Sequence, residues 1–104
     1  MTEEGKREEA EGVAGEVVLN LTKQHILVLF LLDKYDNLLI SDIKELLRRG
    51  TTYVEMILGD LKDWGLIREI VVGRRRRIRV FFLTEKGKKF VEFLKEFTKE
   101  AKQP

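Results

Sequence analysis

The stretch Trp64-Gly65-Leu66-Ile67-Arg68-Glu69-Ile70-Val71-Val72-Gly73-Arg74-Arg75-Arg76-Arg77-Ile78-Arg79-Val80-Phe81-Phe82-Leu83-Thr84-Glu85-Lys86-Gly87 decides the fold. Two short apolar stretches, about Leu66 to Val72 and Ile78 to Leu83, flank Gly73-Arg74-Arg75-Arg76-Arg77, and the second runs into a helix start. That spacing predicts a β-hairpin with a cationic tip. Five of the six residues from 74 to 79 are arginine. Strands would hold these charges on a rigid finger, whose natural partner is a polyanion, most commonly nucleic acid.

Upstream of the hairpin the pattern turns helical. Val54, Ile57, Leu58 and Leu61 form an i, i+3, i+4, i+7 stripe in a helix that begins at Thr51-Thr52 and stops at Gly65. Thr52 and Glu55 have capping-box spacing. A shorter helix precedes it, capped by Ser41 or Asp42, with Glu45 in capping-box spacing to Asp42, and ending at Arg48-Arg49-Gly50, where Gly50 suits a C-terminal cap. Two helices joined by a tight glycine-containing turn form a helix-turn-helix. Further upstream Thr22 is the expected N-cap of a helix from Lys23 to about Lys34, with Leu21 and Ile26 as a hydrophobic staple. Its run Ile26 to Leu32 is apolar on all faces, which predicts burial on more than one side. Asp36-Asn37 reads as a turn and Leu38-Leu39-Ile40 as a short strand. After the hairpin, Thr84 caps a last helix to roughly Lys99, with Phe90, Phe93, Leu94 and Phe97 on one face. The order helix, strand, helix, helix, strand, strand, helix is that of an α+β winged helix-turn-helix domain, expected over residues 17–99.

Composition narrows the possibilities. The chain has 104 residues, room for one domain, and no cysteine, which excludes disulfides, thiolate metal sites and a cysteine nucleophile. The longest apolar run is seven residues, against the roughly 20 needed to span a bilayer. The N-terminus is acidic and lacks an apolar signal core, pointing to a cytoplasmic protein. Charged residues make up 37% of the chain while Asn and Gln are scarce, a balance common in hyperthermophile proteins. The net charge of +2 hides an asymmetry. Residues 1–16 hold six glutamates against Lys6 and Arg7, a balance of −4, so the remainder carries +6. This segment reads as a disordered acidic tail, either solvating or mimicking DNA in competition for the basic surface. Residues 100–104 are expected to be disordered as well.

Two motifs carry a resemblance. Leu61-Lys62-Asp63-Trp64-Gly65-Leu66-Ile67 is similar to the leucine, three residues, Gly-Leu-Ile end of the recognition helix in winged-helix repressors. Leu83-Thr84-Glu85-Lys86-Gly87 resembles their Leu-Thr-x-x-Gly junction between wing and final helix. The MarR and PadR groups and many small archaeal regulators share both features, and the resemblance spans about residues 20–98. It implies a winged-helix fold and a role in regulating transcription, although fold alone does not dictate function.

Candidate DNA contacts follow from charge and position. Arg74, Arg75, Arg76, Arg77 and Arg79 would sit on the wing, where arginine grips phosphate bidentately or enters a narrow minor groove. Arg48 and Arg49 lie just before the third helix, whose N-terminus presents free amides to an anion, and Lys44 lies on the second helix. The third helix would offer Thr51, Thr52, Tyr53, Glu55 and Met56 to the major groove. It has no arginine, so the wing is expected to supply much of the affinity. Tyr53 divides between DNA contact and structure. Asp60 and Asp63 would repel phosphate. Trp64 reads as a packing anchor, and His25 as a surface or interface histidine with no ligand cluster around it. No catalytic pairing, phosphate-cradling loop or metal spacing is present, so neither an enzyme nor a cofactor, metal or small-molecule ligand is expected.

The apolar faces imply a partner. Ile26, Leu29 and Phe30 with Phe90, Phe93, Leu94 and Phe97 are the expected homodimer interface, and Val17-Val18-Leu19 could add to it. A two-fold dimer would set two wings against a palindromic duplex site. The alternative is a winged-helix module of transcription or replication machinery that binds protein or RNA and grips nucleic acid without sequence preference.

Overall fold

The structure, a computed structural model, describes residues 20–102, with side chains to residue 97. The acidic segment 1–16, Val17-Val18-Leu19 and residues 103–104 lie outside the described residues. The elements run α1 (Lys23–Tyr35), β1 (Asn37–Leu39), α2 (Ile40–Leu47), α3 (Thr51–Asp63), β2 (Ile67–Val72), β3 (Ile78–Leu83) and α4 (Glu85–Lys102). This is the predicted order. Among the described residues no helix is long and apolar enough to cross a membrane.

Local chemistry sets the boundaries. Thr22 caps α1 as expected, and the reciprocal group is His25, whose Nδ1 accepts from the Thr22 amide at 3.0 Å. His25 is buried within the protomer, at 2% exposure, which corrects its assignment to the surface or an interface. Asp36, at φ 67°, ends α1. β1 starts one residue earlier than predicted, and Ile40 already belongs to α2. Neither Ser41 nor Asp42 occupies the N-cap of α2; Asp42 sits in the first turn and accepts from the Leu39 amide at 3.1 Å. Nor is Gly50 the C-cap. Arg48 takes the left-handed conformation at φ 56°, with its amide donating to the Glu45 carbonyl, and Gly50 instead stands at the N-cap position of α3, where it offers no side-chain bond. The last helix runs to Lys102, into the stretch expected to be disordered.

The sheet is antiparallel with order β1-β3-β2. Register pairs Ile67 with Leu83, Ile70 with Val80 and Val72 with Ile78, while Leu38 of β1 faces Phe81. Residues 67, 69, 71, 79, 81 and 83 therefore share one sheet face, and the buried Ile67, Phe81 and Leu83 mark it as the face toward the helices. The core joins these to Val28, Leu29 and Leu32 of α1, Ile43 of α2, Val91 of α4, and Val54, Ile57, Leu58 and Leu61 of α3. The predicted stripe of α3 is thus its buried face. Trp64 is buried at the end of α3, 4.9 Å from the His25 ring between centroids, as a packing anchor. α1 buries Val28, Leu29 and Leu32 but leaves Leu27 36% exposed.

Candidate nucleic-acid interface

The start of α3 presents an uncapped helix terminus. Gly50 supplies no side-chain bond, and Thr51 and Thr52 are exposed. The capping box expected between Thr52 and Glu55 does not form. First-turn amides of a helix have no intrahelical acceptor, and together with the helix dipole they favour an anion. The exposed Arg48 and Arg49 lie immediately before these amides. The Arg49 guanidinium rests 4.8 Å from the centre of the Tyr53 ring, and Tyr53 packs partly against the core. Tyr53 therefore has a structural role and also orients a cation. Met56 is 52% exposed on the outer face of α3, and Lys44 is half-buried on α2.

The wing tip is fixed by glycine. Gly73 has φ 103°, and a Cβ there would overlap the Arg76 carbonyl oxygen, so only glycine closes this turn without strain. Arg74, Arg75, Arg76 and Arg77 are all exposed around it. They form a block of four cations at the end of two paired strands.

Arg79 is different. It faces inward on β3, where its Nε donates to Glu69 Oε2 at 2.5 Å and its Nη2 lies 2.8 Å from Glu55 Oε1. Lys62 Nζ adds a 2.8 Å bond to Glu69 Oε1. The bonds from Arg79, with help from Lys62, hold the Glu69 carboxyl at about 2, below its ordinary 4.5, against the opposing effect of burial. Arg79 also lowers the Glu55 carboxyl, and the two carboxylates in turn raise the Arg79 guanidinium. Arg79 and Glu55, both expected to touch DNA, are thus engaged with each other. No sequence motif singles out Glu69. The alternation of β2 and β3 is the available signal, because it places Glu69 and Arg79 on the same sheet face.

Asp60 is also engaged. Its Oδ2 lies 2.9 Å from His25 Nε2, tying the outer side of α3 to the start of α1. With Nδ1 accepting from the Thr22 amide, Nε2 is the nitrogen that donates. An open cleft of about 320 Å³ lies here, lined by Thr22, His25, Tyr53, Met56, Asp60 and Trp64 among others. No motif or periodicity announces it. Among the described residues no three His, Cys, Asp or Glu side chains are grouped to hold a metal.

The wing root is locked to α3 by the second motif. Thr84 Oγ1 donates to the Gly65 carbonyl at 2.6 Å and accepts from the Gly87 amide at 3.0 Å. Lys86 Nζ donates to the Trp64 carbonyl at 2.9 Å. One short segment thus caps α4 and the end of α3 together.

No family model and no curated protein matches the chain. Solved structures do. A mutant of MepR from a multidrug-resistant S. aureus clinical isolate is 25% identical, with a TM-score of 0.74 over 95% of this chain and 72% of its own. Another S. aureus MepR mutant, bound to an oligodeoxyribonucleotide, is 24% identical, with a TM-score of 0.71 over 99% of this chain and 80% of its own. FabT of Streptococcus pneumoniae, in complex with DNA, is 20% identical, with a TM-score of 0.70 over 96% of this chain and 75% of its own. The fold of this chain is that of a MarR-like winged helix-turn-helix protein.

Proposed function

We propose that the chain is a DNA-binding transcriptional regulator that acts as a homodimer. The observation that carries this is the exposed Arg74–Arg77 block, held by a paired hairpin beside a helix whose first-turn amides are uncapped. Arg48, Arg49 and the wing arginines grip phosphate or the minor groove, while Thr51, Thr52 and Met56 face the bases of the major groove. Thr and Met make apolar contact with thymine methyls but discriminate guanine poorly, so affinity exceeds sequence preference. The DNA-bound MepR and FabT structures of the same fold support this reading.

The dimer reading rests on α4. Phe93 and Phe97, 63% and 65% exposed, extend the half-buried Phe90 and Leu94 and form an apolar stripe that a monomer leaves in water. Ile26 and Phe30 of α1 are half-buried and remain available to it. Leu29 does not: at 0% exposure it belongs to the protomer's own core, which removes it from the expected interface. Titrating the chain against random and selected duplexes across a salt series tests the function. A salt-dependent affinity with a modest preference for selected duplexes is expected. No binding at low salt contradicts the reading, and equal affinity for every duplex favours a non-specific nucleic-acid module.

A further inference from the structure

Four charged side chains meet between the hairpin and α3, and their charges cancel. Glu55 and Lys62 come from α3, Glu69 from β2 and Arg79 from β3. Arg79 is the bridge. Its Nε and Nη2 both reach Glu69, at 2.5 and 3.3 Å, and Nη2 also reaches Glu55 at 2.8 Å. Its guanidinium lies 5.4 Å from the centre of the buried Phe81 ring. A planar fork can serve two carboxylates at once, whereas an ammonium acts as a point charge. Glu69 is the shielded member of the hub, its side chain 14% exposed, against 31% for Arg79 and 41% for Glu55.

Glu55 is the one acidic residue among residues 51–57, the first two turns of α3. Left unpaired, its carboxylate would stand on the helix face proposed to meet DNA and would oppose phosphate. We infer that Arg79 is a positioning residue for DNA binding rather than a phosphate contact: by bridging Glu55 to Glu69 it fixes the wing root against α3 and withholds the Glu55 carboxylate from the DNA. This rests on the DNA-binding reading above. Wing and helix then approach the duplex as one body, and the net positive charge stays at Arg48, Arg49 and the wing tip.

The test is affinity for one random-sequence duplex across a salt series, for wild type, R79A, R79K, E55Q and R79A/E55Q, with a thermal melt of each. R79A is expected to weaken binding about tenfold, of the order that follows from removing one specific interaction. R79K keeps the charge but cannot span both carboxylates, so it is expected to bind severalfold more weakly with the salt slope unchanged. E55Q alone stays near wild type. R79A/E55Q, whose cluster again sums to zero charge but which lacks the bridge, recovers part of the affinity lost in R79A and the wild-type slope. The inference is overturned if R79A/E55Q remains as weak as R79A with a slope shallower by about 0.9, the mark of one phosphate interaction removed. Undiminished affinity of R79K overturns it too, and that variant decides the matter even if R79A does not fold. A wild-type chain that binds no duplex at low salt overturns the DNA-binding reading itself, and this inference with it.

Discussion

Single residues in the Leu-Thr-x-x-Gly segment each have a visible physical task. Thr84 both donates and accepts through one hydroxyl, joining the end of α3 to the start of α4. Gly87 is buried where a Cβ would overlap the Leu66 carbonyl oxygen, so the helix approaches the strand entry more closely than any side chain allows. G87A should therefore destabilise the chain by about 1–3 kcal/mol, the range for overpacking a filled interior. A thermal melt checks this, and an unchanged midpoint would contradict the close approach. These residues are legible in the sequence because they stand together in one short motif, Leu83-Thr84-Glu85-Lys86-Gly87. The roles of His25 and Arg79 are not. His25 pairs with Asp60, 35 residues away, which no local pattern reports; strand alternation places Arg79 on one sheet face with Glu69, but not against Glu55 on α3.

Elements are more legible than their ends. The α3 stripe and the two hairpin strands follow from period 3.6 and a cationic turn, and both stand where the pattern predicts them. Ends differ where the cap is chosen by a competition that sequence cannot settle. Asp42 works from inside the first turn of α2, and Arg48 takes the left-handed position expected of Gly50. The clamp between the hairpin and α3 also has a pH signature. The folded Glu69 carboxyl, at about 2, lies below its ordinary 4.5. Its contribution to stability is thus fully present above about pH 5 and fades as pH falls from there toward 2. E69Q should flatten this part of the stability-against-pH curve. Parallel curves for wild type and E69Q between pH 5 and 2 would contradict the clamp.

At the scale of the whole molecule, one apolar stripe and one cationic block face away from the protomer's own core. Phe93 and Phe97 contribute little to that core, so F93E/F97E should leave the protomer folded while halving the mass seen by sedimentation. A wild-type chain that sediments as a monomer would contradict the dimer. The cationic block carries the central claim, that the wing supplies most of the affinity for DNA. The most direct test compares wild type with R74A/R75A/R76A/R77A in the dependence of log affinity on log salt. Removing four phosphate interactions per subunit predicts a slope shallower by about 3.6 per subunit, with affinity falling uniformly across duplex sequences. Unchanged affinity and slope would remove the wing from the mechanism.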